Sequence, residues 1–293
     1  MAVLIMNKMI KTVLSSLLVA SAISSSASAQ GRFDDVEIES THLRGTVHAL
    51  VGAGGNIGVS AGSDGVLIVD DQFAPLAEKI ATALGQLGSD KPRYVINTHY
   101  HGDHVGSNAF FAEQKDATIL SHHNVRIRLA NGEDVNPKSL PVITYDGGVK
   151  LHFNEETIHV FHLPNAHTDG DSAVWFENAD VLHTGDLFFN GMFPFIDLNG
   201  GGSVDGYMAA VQALIDKISD QTVIIAGHGK IANKGDFQTF LAMIKETNAF
   251  VDGLKAEGKT VDQIVEQGLP KKWQQWSWNF INEVRWINTL YDS

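Results

Sequence analysis

The stretch Thr98-His99-Tyr100-His101-Gly102-Asp103-His104 places three imidazoles and a carboxylate within six consecutive positions. A core would have to desolvate all four groups at once, so a packing role explains them poorly and metal ligation explains them economically. The chain contains no cysteine, which excludes a thiolate site, a thiol nucleophile and a disulfide framework. Imidazole and carboxylate donors suit zinc, iron or manganese. Three further groups of the same kind lie far along the chain: His167 in Asn165-Ala166-His167-Thr168-Asp169, Asp186 in Thr184-Gly185-Asp186, and His228 in Gly227-His228-Gly229.

These residues fall at the ends of apolar, strand-like runs. His99 follows 94–97, His167 follows 157–162, Asp186 follows 181–183 and His228 follows 222–226. Loops beyond the C-terminal ends of sheet strands are where open α/β folds gather ligands, so the four segments can converge. Upstream, 47–51, 57–60 and 66–69 read as strands joined by turns at Gly52-Ala53-Gly54-Gly55-Asn56 and Asp64-Gly65. The glycine run joins two strands and opens no helix, which argues against a phosphate cradle. Helical spacing predicts helices over 74–87, 105–113, 124–130 and 204–218, and a long one carrying Phe237, Phe240, Leu241 and Ile244. Further strands are expected at 118–120, 142–145, 149–153 and 172–176. Thr260-Val261-Asp262-Gln263 has capping-box form and opens another helix. The aromatic tail, with Trp273, Trp276, Trp278, Phe280, Trp286 and Tyr291, reads as a helix docked on the core rather than a ligand cage. Strands and helices alternate in two similar halves, which favours sheets covered by helices on their outer faces.

Residues 1–29 have the form of a removable export leader, with Lys8 and Lys11, an apolar run over 12–23 and Ala27-Ser28-Ala29 ahead of Gln30. A periplasmic or secreted chain, 30–293, is then expected as a single domain with C-terminal helices. Loss of the two leader lysines takes the formal charge from −13 to −15. So acidic a surface repels phosphate backbones, which argues against nucleic acid and leaves a small molecule as the expected partner. No later stretch approaches membrane-spanning length.

His99-Tyr100-His101-Gly102-Asp103-His104 has the H-x-H-x-D-H form of the metallo-β-lactamase fold superfamily, and His167, Asp186 and His228 match its later positions in order over about residues 40–245. The chain therefore resembles that family, which implies an α/β fold, an αββα sandwich of two mixed sheets with helices outside. It also implies one metal on His99, His101 and His167 and a second on Asp103, His104 and His228, with Asp186 reaching both. The expected cofactor is a pair of zinc ions, with iron or manganese as alternatives, and the expected chemistry is attack of a metal-bound hydroxide on a lactam, lactone or (thio)ester carbonyl. Asp103 is the candidate catalytic residue, as orienter of the hydroxide. Asp70 lies where the family often carries a carboxylate behind a ligand histidine, although a solvated strand end explains it as well. Asp71 has no better claim, and Asp169 and Asp171 suit turn roles.

Two departures bear on substrate. Asp186 stands where one lactamase subclass has cysteine, and Leu187-Phe188-Phe189-Asn190-Gly191 lacks the basic residue that holds a lactam carboxylate. The ligand set is thus closer to glyoxalase II-like thioesterases and lactonases, while the flanks resemble exported lactamase-like proteins. Phe188, Phe189 and Met192-Phe193-Pro194-Phe195 suit a pocket wall or core packing equally. A persulfide dioxygenase-like iron site on His99, His167 and Asp186, and a non-catalytic metal-binding protein, are the competing expectations. The remaining histidines, His42, His48, His122, His123, His152, His159, His162 and His183, suit ordinary hydrogen-bonded or surface roles.

Overall fold

The computed structural model describes residues 31–293; the expected leader over 1–29 lies outside the described residues. Residues 38–293 form one compact unit. No described helix is long and apolar enough to cross a membrane.

Two mixed sheets make the frame. The first runs in chain order through β1 (Glu39–Arg44), β2 (Val47–Val51), β3 (Ile57–Gly62), β4 (Gly65–Val69), β5 (Pro92–Asn97), β6 (Thr118–His122) and β7 (Ile143–Tyr145). Its first four strands pair antiparallel and the rest parallel. The second comprises β8 (Gly148–Phe153), β9 (Glu156–His162), β10 (Ser172–Phe176), β11 (Val181–His183) and β12 (Val223–Ile225), antiparallel except for the β11–β12 pair.

Alternation along the strands explains why both faces are covered. Leu67, Val69, Ile96 and Leu120 of the first sheet meet Ile158, Val160, Val174, Phe176 and Ile225 of the second in one core between the sheets. Their neighbours Val66, Ile68, Val95 and Ile119 point to the opposite face and are also buried, so that face needs a cover. The helix Ala77–Leu87, which buries Ala77, Ile80, Ala81 and Leu84, belongs to that outer layer. On the other side Ala173, Leu182 and Ile224 pack with the helices Val204–Lys217 and Lys234–Ala256 and with the C-terminal segments around Trp273, Trp276 and Trp286. The architecture is the expected αββα sandwich. Each fully buried Leu, Ile, Val or Phe contributes roughly 1.5–3 kcal/mol, so both layers are held mainly by apolar burial.

The helix expected over 105–113 is instead two pieces, Gly102–Val105 and Asn108–Gln114. Gly106 lies between them and packs too closely for a side chain, since a Cβ there would press on the backbone oxygens of Gly102 and Gln72. The short first piece leaves Asp103 and His104 in its single turn, facing the ends of the strands.

Candidate metal centre

All seven sequence-predicted ligand residues converge at one end of the sandwich. His99, His101, His167 and Asp186 offer one ligand atom each within 4.8 Å of one another, and Asp103, His104 and His228 form a second such group. Asp186 lies between them, with Oδ2 3.5 Å from His167 Nε2 and 3.7 Å from His99 Nε2, and Oδ1 3.0 Å from His104 Nε2 and 3.3 Å from His228 Nε2.

Local chain geometry delivers these groups. Gly185 adopts φ +51, and a Cβ there would lie 2.6 Å from Thr98 Oγ1, so glycine lets the strand end turn Asp186 inward beside Thr98. Asn56 donates to the carbonyls of Ala226 and Gly229 at 2.9 Å each and fixes the loop that carries His228. The glycine run around Gly54 and Gly55 packs directly on Asp103 and His104, where a Cβ on Gly55 would collide with the His104 ring. Its glycines serve close approach to this centre, in keeping with the rejection of a phosphate cradle.

Hydrogen bonds on the far side of each ring set which nitrogen faces inward. His167 Nδ1 donates to the Phe195 carbonyl at 2.7 Å, His104 Nδ1 to Asp70 Oδ2 at 2.7 Å, and His101 Nε2 to Asp197 Oδ2 at 3.0 Å. Thr98 Oγ1 spends its proton on Asp70, so His99 Nδ1 donates to Thr98 Oγ1 at 3.0 Å. In their neutral forms, rings so oriented aim lone pairs inward from His99 Nε2, His104 Nε2, His167 Nε2 and His101 Nδ1. Two of these, on His101 and His167, face each other at 2.9 Å. Moreover His99 Nε2, His104 Nε2 and Asp186 Oδ1 are buried without hydrogen-bond partners. Lone pairs converging in a buried space call for a cation, and this donor set fits two divalent ions.

The charge balance agrees. Burial, aided by His104, holds His99 well below the imidazole range, and burial pushes His167 down to about 4, so both rings are neutral. Against burial, Asp186 and Asp103 hold His104 well up and His228 up to about 9; a proton there does what a metal ion would otherwise do. Against burial, His104 and His228 keep Asp186 ionised far below the carboxylate range.

Asp70 is not a solvated strand end. It is fully buried at φ +64, accepts from Thr98 N at 2.7 Å and from Thr98 Oγ1 at 2.8 Å, and braces His104. Asp71 points away and accepts from Ser107 N at 2.9 Å. Asp171 has the expected turn role, accepting from Thr168 N and Oγ1. Asp169 departs from its expected turn role: it forms a two-pronged ion pair with Arg128, whose guanidinium lies over the Tyr100 ring. His183 is buried and hydrogen-bonded to Asn56 O and Gly185 N, and none of the other histidines enters a ligand group among the described residues.

Residues beyond the motif complete the site. Asp197 takes the Tyr100 hydroxyl, the His101 ring and the Gly200 N–H together. A cavity of about 220 Å³ opens onto His101, Asp103, Asp186 and His228 and is walled by Phe189, Phe195, Trp278 and Phe280. Phe188 and Phe193 instead lie fully in the core. The expectation for the tail is therefore corrected in part: Trp273, Trp276 and Trp286 are core, whereas Trp278 and Phe280 face the cavity because the chain over 275–282 leaves helical form and crosses the site's mouth.

Known proteins resemble this chain in the same region. The profile of the Metallo-beta-lactamase superfamily matches residues 51–228. A probable metallo-hydrolase of Bacillus subtilis is 26% identical over 64% of this chain and 90% of its own length. A hydroxyacylglutathione hydrolase of Pelagibacter ubique is 26% identical over 61% of this chain and 66% of its own. Among solved structures, a metallo-beta-lactamase from Pontibacter korlensis superposes with TM-score 0.61 at 15% identity, over 71% of this chain and 99% of that one, a likeness of fold.

Proposed function

The chain belongs to the metallo-beta-lactamase superfamily, and from that premise we propose that it is an exported dinuclear zinc hydrolase acting on the carbonyl of an ester, thioester, lactone or lactam. The observation that carries the reading is the convergence of bare, buried donor atoms into two groups that share Asp186. His99, His101, His167 and Asp186 Oδ2 would hold one ion, and Asp103, His104, His228 and Asp186 Oδ1 the other. Two zinc ions would supply Lewis acidity and bring the pKa of a bound water to about 7.

The protein's own residues contribute position and proton control. Asp103 Oδ2 lies 3.3 Å from His228 Nε2 and is partly open to the cavity, where it can orient a water and accept its proton. Phe189, Phe195, Trp278 and Phe280 bind the apolar part of a substrate and keep bulk water from the reacting carbonyl. The relatives named hydroxyacylglutathione hydrolase bring thioesters into the candidate class. Export, supported by the form of residues 1–29, removes the chain from cytosolic glutathione conjugates and favours other acyl compounds. A single iron on His99, His167 and Asp186 would leave the second donor group without a task.

The test joins metal analysis to a hydrolysis panel of a cephalosporin, a lactone and a thioester, on wild type and Asp103→Asn. About two zinc per chain and at least one cleaved substrate are expected, with a loss of roughly 10²-fold or more in the variant. One iron per chain with oxygen consumption would replace this reading with dioxygenase chemistry. Bound metal without turnover would make the protein a metal carrier.

A further inference from the structure

The segment over 187–191 supplies no cation to the cleft, yet a guanidinium packs beside two rings of its wall. Arg285, from the helix Glu283–Asp292, lies 4.3 Å from the centre of the Phe280 ring and 5.1 Å from that of Phe195, both of which line the cavity. Phe195 in turn touches the rings of His101 and His167. Among the described residues the Arg285 side chain donates once, to the Phe280 carbonyl at 3.0 Å, and forms no ion pair. The carboxylate two residues before it, Glu283, is engaged by the Leu269 N–H at 2.6 Å. An arginine without an acidic partner is notable on a chain of formal charge −13, where carboxylates outnumber cations 34 to 21. Arg285 also occupies the first turn of its helix, with its N–H donating to the Asn282 cap, where the helix dipole disfavours a cation. Contact with two aromatic rings holds the planar fork in place, and because Arg285 is exposed its remaining N–H donors are open to a ligand.

We propose that Arg285 recognises an anionic group, a carboxylate, on a substrate whose flat apolar body lies against Phe195, Phe280 and Trp278, so that the class hydrolysed is an acid-bearing aryl or alkyl acyl compound. The substrate class rests on the hydrolase reading above; anion recognition by Arg285 does not. A carboxylate reaching the fork gains a charge-assisted, two-pronged contact with a group already stacked and ordered, at little entropic cost.

The test measures binding of 4-phenylbutyrate and of its neutral amide by calorimetry, to the full chain with zinc and after chelation. In wild type the acid is expected to bind at least tenfold tighter than the amide in both forms. Arg285→Gln should bring the two within about twofold while leaving amide binding unchanged, which also reports that the cleft is intact; Arg285→Lys should restore part of the preference. A preference that survives Arg285→Gln, or that disappears with chelation, would overturn the assignment. A retained preference with no turnover on the panel sinks the hydrolase reading alone, and turnover without any acid preference sinks the anion site alone. For an aryl ester ending in a carboxylate, Arg285→Gln should raise KM about tenfold with kcat little changed, and a matched neutral ester should show no change.

Discussion

Asp197→Asn tests whether the outward bonds of the histidines fix the inward lone pairs. The carboxylate accepts from three donors, the His101 Nε2–H, the Tyr100 hydroxyl and the Gly200 N–H. An amide has one accepting oxygen and must turn its NH2 toward one of those donors. Facing Gly200, it sets donor against donor, and a buried polar group so mismatched costs about 1–3 kcal/mol. Facing His101, it can be accommodated only if His101 moves its proton from Nε2 to Nδ1, the nitrogen that meets His167 Nε2 at 2.9 Å and would bind the ion. Either way metal affinity is expected to fall by about 10- to 100-fold, as for other groups that brace a ligand histidine, or about 1.4–2.8 kcal/mol. A zinc competition titration against a chromophoric chelator measures this directly, with melting curves of the metal-free proteins to separate folding from binding. Tyr100→Phe leaves the carboxylate in place and should cost threefold or less. Zinc affinity in Asp197→Asn equal to wild type would refute the claim that this carboxylate sets the His101 lone pair.

Two further perturbations probe other parts of the argument. Gly55→Ala drives a methyl into the His104 ring, so the variant should lose the ion held by the Asp103, His104 and His228 group, seen as about one zinc per chain instead of two. His122, buried and stacked on His162 at 3.7 Å, is pushed down to about 4 by burial and by that neighbour, so its neutral form is favoured in the folded state. Its contribution is full above pH 6.5, the unfolded value, and is lost as the pH falls toward 4. His122→Asn keeps an acceptor for the Asn124 N–H and should flatten the fall in melting temperature between pH 6.5 and 4.5; an unchanged slope would sink that account.

What could be read from the residues alone follows from how local each signal is. The strand ends and the seven ligand positions lie in short segments whose periodicity and spacing are complete within a few residues, and all seven come together. The close approach of Gly106 to the backbone of Gln72, a residue 34 positions earlier, leaves no local signature. The sequence leaves Asp70 evenly balanced for the same reason: only the approach of β4 to β5 shows that it meets Thr98 and His104 rather than water. Asp197 belongs to no spacing pattern and acquires its role by reaching His101 across 96 positions. Trp278 and Phe280 carried the apolar character of a core segment, and nothing local distinguishes a ring that packs on Trp286 from one that packs beside a cavity. Arg285 carries no local signal either, because its aromatic neighbours Phe195 and Phe280 are set by the fold.

The division of the cleft between two parts of the chain has an evolutionary consequence. Every ligand group lies at or before His228, within the stretch shared with the superfamily, whereas Trp278, Phe280 and Arg285 come from the last 16 residues, beyond it. Substitutions in that tail can exchange one ligand preference for another while the donor atoms stay untouched. Selection can therefore vary what the cleft admits, one surface side chain at a time, without passing through forms that have lost their metal site.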